Sequence, residues 1–366
     1  MRAGFAQARS SLTVLAGVDQ LDAFCRAVLS ATGANDATID AATRAMMHGS
    51  RLGIDSHGVR LLDHYVTALF GGRVKTRPSP AIVRRTGAVA VLDADHGHGA
   101  LAAYSAMEEA VALAGQHGLG AVSIRNTSHF GPAGAYALAA AEAGCIGLSV
   151  CNSDSFVRLH DGAERFHGTN PIAFAAPLSG QRPWLLDMAT SAITYNRVQL
   201  YKSMGTPLPE GVASASGGAD TSLATLAEML APLGGLFGFK GAGLAGMVEI
   251  FSAVLSGMNP SPDILPMGGP DFATPRRMGA FVLALRPDAF IERAAFDDGM
   301  RRYLEALRNA QARSGAAVMA PGDREWEEER NRQRSGVPLD PDTAASFSRL
   351  AEAHRLELPF LPGSRT

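Results

Sequence analysis

The chain has 366 residues, of which 46% are hydrophobic and 19% are charged, and its formal net charge is −2. This is the composition of an ordinary globular protein with room for two or three domains and a large core. The small net charge gives no electrostatic case for nucleic acid or an anionic membrane as a partner. The longest apolar helical stretch, residues 241–255, carries a glutamate and is shorter than the roughly 20 residues of a membrane span.

The three cysteines, Cys25, Cys145 and Cys151, have no metal-like spacing and are expected to stay reduced. No N-terminal stretch has the apolar core of a signal peptide, because the run at 12–16 is too short. We therefore expect a cytoplasmic protein.

The N-terminal part of the chain is predicted to be helical. Apolar residues at helical spacing, with caps and glycine stops, predict three helices at 18–32, 36–51 and 59–70. A glycine-flanked turn that carries Ser56 and His57 separates the second helix from the third. These helices are expected to form a helical lobe over residues 1–77, joined by residues 288–366.

The middle of the chain, residues 78–287, alternates strands and helices and is predicted to be an α/β domain. Apolar runs predict strands at 88–93, 121–126, 145–151, 172–176, 185–189 and 278–285, with helices at 100–117 and 133–143. The strands between 121 and 191 end in hydroxyl, amide, imidazole or carboxylate groups. Since loops at strand ends hold polar groups over a rigid scaffold, this stretch is the candidate active site.

The remaining segments are predicted to be mostly helical. Further helices are expected at 195–204, 223–230, 239–256, 289–312, 324–334 and 341–356. Residues 206–218 form a loop rich in Pro, Gly and Ser, and its length suggests a functional role.

A dinucleotide fingerprint is suggested by Gly97-His98-Gly99 and the residues that follow, which match G-x-G-x-x-A between a predicted strand and a helix. A Rossmann unit also needs an acidic residue at the end of the next strand. That strand ends in Arg125-Asn126, so a plain turn is predicted instead. His96 and His98 lack a second pair of ligands at suitable spacing, and no metal site is expected.

Three polar positions remain as candidates for chemistry. His57, on its turn, is suited to donate a proton near neutral pH, while Ser56 is equally suited to cap a helix. His129 precedes a helix, where the positive helix end would keep the imidazole neutral and basic; a ring satisfied by backbone groups is the alternative. Lys240 begins a glycine-rich helix and is suited to a phosphate, or else is simply solvated.

Taken together, collinear motifs between about residues 20 and 325 resemble the malate/L-lactate dehydrogenase family of the second type. That family includes ureidoglycolate dehydrogenase, diketogulonate reductase, sulfolactate dehydrogenase and Δ1-piperideine-2-carboxylate/Δ1-pyrroline-2-carboxylate reductase. The motifs that carry the resemblance are Asp55-Ser56-His57-Gly58-Val59, Arg125 to Gly131, Gly168 to Pro177, Asp187 to Ser191, Pro207 to Gly211, and Pro232 to Gly235 with Lys240-Gly241.

The resemblance implies an NAD(P)-binding mixed sheet that is not a Rossmann fold, in a homodimer that uses NAD or NADP on a small-molecule substrate. It implies that His57, assisted by Ser56, donates a proton to the substrate, and that His129 competes for this role. The segments that match cofactor contacts are Ser153, Leu185, Leu186, Asp187, Met188, Ala189, Phe239, Lys240, Gly322, Asp323 and Arg324.

This sequence departs from the family pattern at the substrate. The family arginine that follows the Ser-His-Gly histidine by four residues, where it can grip a carboxylate, is Leu61 here, and Arg60 stands one residue earlier. His160 stands where relatives often have a Pro-x-Gly-Gly turn. We expect Arg60, His160 and Thr169 to contact the substrate.

The function predicted from these features is hydride transfer between NAD(P)H and C2 of a small 2-oxo or 2-hydroxy acid. The departure at position 61 leaves a reductase of cyclic imino acids as an alternative. An alternative of another class is a catalytically silent relative that only binds the cofactor; Leu61 favours it, and the intact Ser56, His57, His129 and Lys240 argue against it.

Overall fold

The structure is a computed structural model that describes residues 14–203 and 205–361. The strands are β1 (Val14–Ala16), β2 (Ala81–Thr86), β3 (Val89–Asp93), β4 (Leu119–Thr127), β5 (Ile146–Cys151), β6 (Val157–Arg158), β7 (Arg165–His167), β8 (Ile172–Ala176), β9 (Trp184–Met188), β10 (Ala213–Ser214), β11 (Met229–Leu230), β12 (Met278–Leu285) and β13 (Val337–Leu339). The helices are α1 (Val18–Ala31), α2 (Asp36–Arg51), α3 (Leu62–Phe70), α4 (Gly99–His117), α5 (Gly134–Glu142), α6 (Tyr195–Ser203), α7 (Phe239–Glu249), α8 (Arg293–Arg308), α9 (Asp323–Ser335) and α10 (Pro341–His354).

A seven-stranded sheet in the order β2-β3-β4-β12-β5-β8-β9 forms the centre of the structure. Only β3 and β4 run parallel, and every other neighbouring pair is antiparallel. The predicted mixed α/β sheet is thus confirmed. It is not a Rossmann sheet, because β12 is inserted antiparallel between β4 and β5 where a doubly wound sheet would keep parallel strands.

Both faces of this sheet are covered by helices. Successive residues of a strand point to opposite faces. Val122 therefore packs in the cluster that contains α4 and α5, whereas Ala121 packs with Val248 of α7. The covered sheet gives the loops at its strand ends a rigid support.

The N-terminal helices have a hydrophobic core of their own, which α10 shares. Phe24 of α1 lies against Phe347 of α10, with ring centroids 4.9 Å apart. Val14 to Ala16 pair with Val337 to Leu339 in a small antiparallel sheet. The chain's C-terminal part thus packs on its N-terminal helices, while the proposed division at residues 77 and 288 stays a prediction.

One predicted helix is wrong. Residues 223–230 have apolar residues at helical spacing, yet they form turns followed by β11. Leu230 donates its N–H to the carbonyl of Phe156, and Glu228 donates to that of Ser214. A helix of eight residues is only marginally stable by itself. Backbone hydrogen bonds to neighbouring strands therefore determine the structure of this segment. The predicted end of α6 at Met204 lies outside the described residues.

Three statements about helices, metal ligands and cysteines apply to the described residues. No helix within them is long and apolar enough to cross a membrane. They contain no group of three or more His, Cys, Asp or Glu side chains placed to hold a metal ion. Cys25, Cys145 and Cys151 are all buried and free.

Candidate active site

The turn that carries His57 is clamped between two helices. It is a single 3-10 turn, Asp55–His57, between α2 and α3. At Gly49 of α2, a Cβ atom would lie 2.6 Å from the carbonyl oxygen of His57, so only glycine permits this approach. From α9, Arg332 donates to the Asp55 carboxylate at 3.0 Å and to the Ser50 carbonyl at 2.6 Å. The C-terminal part of the chain therefore fixes the position of the turn.

The loop that carries His129 follows β4 and rests against the start of α4. The N–H of Gly99 donates to Oγ of Ser128 at 3.0 Å, and the Ser128 hydroxyl donates to the Gly97 carbonyl at 3.1 Å. A Cβ atom at Gly99 would lie 2.3 Å from the Ser128 carbonyl oxygen. The G-x-G turn therefore packs against the histidine loop, and Gly99 permits that close contact.

His57 and His129 meet although they come from different parts of the chain. Their ring centroids lie 5.8 Å apart with an interplanar angle of 21°. Oγ of Ser56 lies 2.8 Å from Nδ1 of His57, and the Tyr65 hydroxyl lies 3.0 Å from Nδ1 of His129. The structure thus brings Ser56, His57 and His129 together and adds Tyr65 of α3.

The tautomer of His129 follows from its neighbours. The backbone N–H of Gly131 reaches Nδ1 of His129 at 3.4 Å, and a backbone N–H can only donate. We therefore assign the lone pair to Nδ1, with the Tyr65 hydroxyl as a second donor to it. The proton of the neutral ring then lies on Nε2, the nitrogen left available for a substrate.

Burial keeps the imidazoles of this cluster neutral near pH 7. It lowers the pKa of His57 to about 4, and it lowers the pKa of His129 well below its usual value, with the charge of His57 adding to the effect. Burial also lowers the pKa of His64 to about 4 and that of His98 to about 3. A desolvated neutral imidazole can accept a proton from a substrate hydroxyl, and its cation can return one.

Ser153 and Thr169, two further predicted site residues, are in contact. The N–H of Thr169 donates to Oγ of Ser153 at 3.3 Å. On β9, the Asp187 carboxylate accepts the N–H of Gly134 at 2.9 Å, at the start of α5. Burial raises the pKa of Asp187 to about 6. Leu186, Met188 and Ala189, like Asp187, are half-buried.

The predicted segment at 322–324 adjoins β9. The N–H of Leu185 donates to the Pro321 carbonyl at 3.3 Å, and a Cβ atom at Gly322 would lie 3.2 Å from that same nitrogen. Asp323 is paired with Arg308, while Arg324 is mostly exposed and paired with the neighbouring Glu325. The structure therefore brings Leu185 and Gly322 together.

His160 lies against the start of α7. Its ring centroid is 5.8 Å from that of Phe239 in an edge-on arrangement. Lys240 is exposed in the first turn of α7, whose N-terminus has no side-chain cap. His160, Phe239 and Lys240 thus form a neighbouring group.

Arg60 forms ion pairs with acidic residues at the start of α10. It is exposed and lies 3.4 Å from Asp340 and 3.9 Å from Asp342, at the start of α10. Leu61, at the position of the family arginine, is buried in the core of the N-terminal helices.

Sequence reasoning missed several polar residues near the histidines. The Tyr65 hydroxyl is hydrogen-bonded to His129. Arg73, Asp154 and Arg276 are buried and come from separate segments of the chain. Tyr65 lies eight residues after His57 in the sequence. Only its position on the core-facing side of the predicted helix could have indicated a place near the site. The two arginines come from irregular segments, where no sequence periodicity indicates which side chains are buried.

Similarity to known proteins identifies the family of this chain. A family model described as malate/L-lactate dehydrogenase matches residues 17–348. The chain belongs to this family. The resemblance seen in the sequence motifs is thereby confirmed, and the relatives of the chain are dehydrogenases and reductases, so it is an oxidoreductase.

Family members that match most of the chain differ in substrate. A (2R)-3-sulfolactate dehydrogenase (NADP(+)) of Chromohalobacter salexigens is 33% identical over 84% of this chain and 90% of its own length. A Delta(1)-pyrroline-2-carboxylate reductase of Pseudomonas fluorescens is 31% identical over 82% of this chain and 88% of its own. The crystal structure of malate dehydrogenase from Entamoeba histolytica superposes with a TM-score of 0.89 at 28% identity, covering 95% of this chain and all of that one. Membership in the family therefore defines the reaction class and leaves the substrate open.

Proposed function

We propose that the protein transfers hydride between a nicotinamide cofactor and C2 of a small 2-oxo or 2-hydroxy acid. The observation that carries the proposal is the stacked pair of His57 and His129, both neutral and half-buried, in a chain of this family. A hydride that arrives at a carbonyl carbon must be matched by a proton at the oxygen. The pair is suited to hold and move that proton.

The two histidines are proposed to have different tasks. His57, hydrogen-bonded to Ser56, exchanges the proton with the substrate oxygen. His129 is held by Tyr65 so that Nε2–H can donate a hydrogen bond to the same oxygen. This division rests on the hydrogen bonds, because the Tyr65 hydroxyl and the Gly131 N–H both meet Nδ1 of His129 and leave its Nε2–H as a donor.

The proposed cofactor is NAD or NADP, which supplies or accepts the hydride when bound. The residues present fit it: the exposed Lys240 in the uncapped first turn of α7 is suited to a pyrophosphate. Ser153, the β9 residues Leu185 to Ala189, Phe239 and the segment 322–324 would hold the rest. Asp187, aimed at the start of α5, is suited to hydrogen-bond a cofactor hydroxyl or amide.

A cyclic imino acid is the second candidate substrate. It is favoured by the relative named Delta(1)-pyrroline-2-carboxylate reductase and by Leu61 in place of an arginine. The same proton exchange would then take place at the imine nitrogen. We propose Thr169 and His160 as substrate contacts in either case, and Arg60 only if it leaves its ion pairs with α10.

One screen tests both candidates. NADH and NADPH oxidation is followed with 2-oxo acids alone, with the same acids plus ammonia or methylamine, and with cyclic imines. Reduction of 2-oxo acids without an amine supports the first proposal, and reduction of cyclic imines alone supports the second. If no compound of either class is reduced, the proposed function is wrong.

The Lys240→Ala variant is expected to bind the cofactor about 10- to 100-fold more weakly, because it loses a charge-assisted contact with a phosphate. Cofactor affinity is measured by quenching of protein fluorescence or by the enhanced fluorescence of bound NADH. The matched control is Lys202→Ala, which removes another exposed lysine. Equal affinity in the Lys240 variant and the wild type would remove Lys240 from the site.

We further propose that the protein is a homodimer and that the α7 patch forms the interface. This patch consists of large apolar side chains that are more than half exposed: Leu236, Phe237, Phe239, Ile250, Val254 and Leu255. Exposed apolar patches of this kind mark interaction sites in globular proteins. Ile250 and Val254 lie one helical turn apart on the continuation of α7, and the family resemblance implies a dimer.

A double Ile250→Glu/Val254→Glu variant is expected to sediment as a monomer, while the wild type sediments with the mass of two chains. Two carboxylates in an apolar interface would be desolvated without partners. Val83→Glu/Val89→Glu, at exposed apolar positions of the edge strand β2 and its neighbour β3, is the control and is expected to leave the dimer intact. A dimeric α7 variant would place the interface elsewhere.

A further inference from the structure

A cluster of buried charges lies beside the histidine pair. Arg73 and Arg276 are each only 3% exposed, and Asp154 is buried with them. Arg276 donates from Nη2 to the Asp154 carboxylate. The ring of Phe272 lies 4.8 Å from the Arg73 guanidinium and 6.1 Å from the ring of His64.

A short chain segment, residues 265–267, holds both arginines in place. Arg276 donates from Nε to the Leu265 carbonyl at 2.8 Å. Arg73 donates from Nη1 to the carbonyls of Pro266 and Met267 at 3.2 and 3.3 Å. The N–H of Met267 in turn donates to the second Asp154 oxygen at 3.0 Å. The two guanidinium groups are therefore fixed by backbone contacts and have little rotational freedom.

The cluster adjoins both His64, a neighbour of His129, and Ser153, one of the proposed cofactor contacts. His64 is within 6.4 Å of His129, ring to ring, and Asp154 directly follows Ser153 in the chain. The charge of Arg276 lowers the pKa of both His64 and His129, after burial as the main cause, which agrees with this placement.

The cluster has one more positive charge than negative, and it has unused donors. Asp154 matches one of the two guanidinium groups. The nearby Asp271 is exposed, and its carboxylate accepts the N–H groups of Ala273 and Thr274. Arg276 Nη1 and Arg73 Nε are buried without a hydrogen-bond partner among the described residues. A buried cation with free donors is costly unless an anion joins it.

We propose that Arg276, with Arg73 beside it, binds a carboxylate group of the substrate in place of the arginine that is missing at position 61. The inference rests on the proposed function, since it assumes an acidic substrate at His57 and His129. Guanidinium groups match carboxylates in shape and charge, and their fixed orientation lowers the entropy cost of binding. The bound group is either the carboxylate next to C2 or the distal carboxylate of a dicarboxylic acid.

The test uses the double variant Asp154→Asn/Arg276→Gln. It removes the ion pair but keeps side chains of similar shape and hydrogen-bonding ability, so neither partner is left as an unpaired buried charge. The matched control, Arg85→Gln/Glu109→Gln, removes an exposed bidentate pair on β2 and α4. Circular dichroism and thermal unfolding establish that each variant is folded.

Steady-state kinetics with 2-oxobutyrate and oxaloacetate are expected to show a KM raised about 10- to 100-fold in the Asp154/Arg276 variant, with a smaller change in kcat. A higher KM for both acids assigns the site to the carboxylate next to C2. A higher KM for oxaloacetate alone assigns it to the distal carboxylate. Unchanged KM values for both acids would overturn the proposal.

An equilibrium measurement separates this proposal from the proposed function. Oxalate and succinate are titrated against the protein without cofactor while its thermal unfolding is followed. We expect one or both acids to stabilise the wild type and the control variant but not the Asp154/Arg276 variant, even if the wild type reduces no 2-oxo acid. Equal stabilisation of all three proteins, or of none, would overturn the carboxylate site.

Discussion

The His57→Asn variant is expected to lose turnover by about 10²- to 10⁴-fold, the usual contribution of a positioned general acid or base. Asparagine keeps a polar side chain of similar length that can still hydrogen-bond to Ser56, but it cannot carry the proton. The loss should appear in kcat in both reaction directions. The measurement is steady-state kinetics with the substrate that the screen identifies.

His129→Asn and Tyr65→Phe are the companion variants. If His129 orients the substrate oxygen as proposed, its loss lowers turnover but leaves the pH dependence of kcat in place. Tyr65→Phe removes the donor to Nδ1 of His129 and should have a smaller effect of the same kind. Near-normal turnover in His57→Asn, together with a lost pH dependence in His129→Asn, would transfer the proton exchange to His129.

The pH profile of the wild type gives a further test of the same assignment. Oxidation of a 2-hydroxy acid requires His57 in its neutral form. Burial lowers the pKa of this histidine to about 4, so the neutral form prevails above that value and is lost as the pH falls through it. The kcat for oxidation is therefore expected to stay level down to about pH 5, whereas an ordinary histidine would give a fall near pH 6.5. A fall near pH 6.5 would contradict the buried neutral state.

The sequence predicted the central elements of the fold well and the peripheral ones poorly. Strands such as β4 and β12 are buried on both faces, so their sequences are long apolar runs. Such a run predicts a strand even when the strands that pair with it are unknown. β2 was missed because five of its six residues are exposed, and β10 and β11 because each has two residues. Their hydrogen bonds come from distant segments, and so does the pairing that overrides the predicted helix at 223–230.

In the candidate site too, contacts between distant segments could not be predicted from the sequence. His57 and His129 were found from short motifs, and the structure brings them together. Arg276 and Asp154 are 122 positions apart and lie in irregular segments, so only the folded chain shows that they pair. Arg60, which is expected to contact the substrate, forms its ion pairs with residues at the start of α10, and its substrate contact stays a prediction.

Glu249 is the polar residue whose removal is expected to cost the most stability. It lies at the end of α7 and is 9% exposed. Its carboxylate accepts hydrogen bonds from the side chains of Asn152 at 3.1 Å and Asn170 at 2.8 Å, and from the backbone N–H of Ser261 at 3.2 Å. Asn152 follows β5 and Asn170 precedes β8, so one carboxylate joins the ends of two central strands.

This connection positions the contact of Ser153 with Thr169, because each of these residues is next to an asparagine that Glu249 holds. Glu249→Leu would leave several buried donors without an acceptor and is expected to lower the free energy of unfolding by about 3–5 kcal/mol. Urea denaturation measures the change. Glu249→Gln should cost less, since its amide oxygen still accepts, and Glu108→Leu on the exposed face of α4 is the control. If Glu249→Leu unfolded at the same urea concentration as the wild type, the carboxylate would not hold the two strand ends together, and the proposed cofactor contact at Ser153 would lose its structural basis.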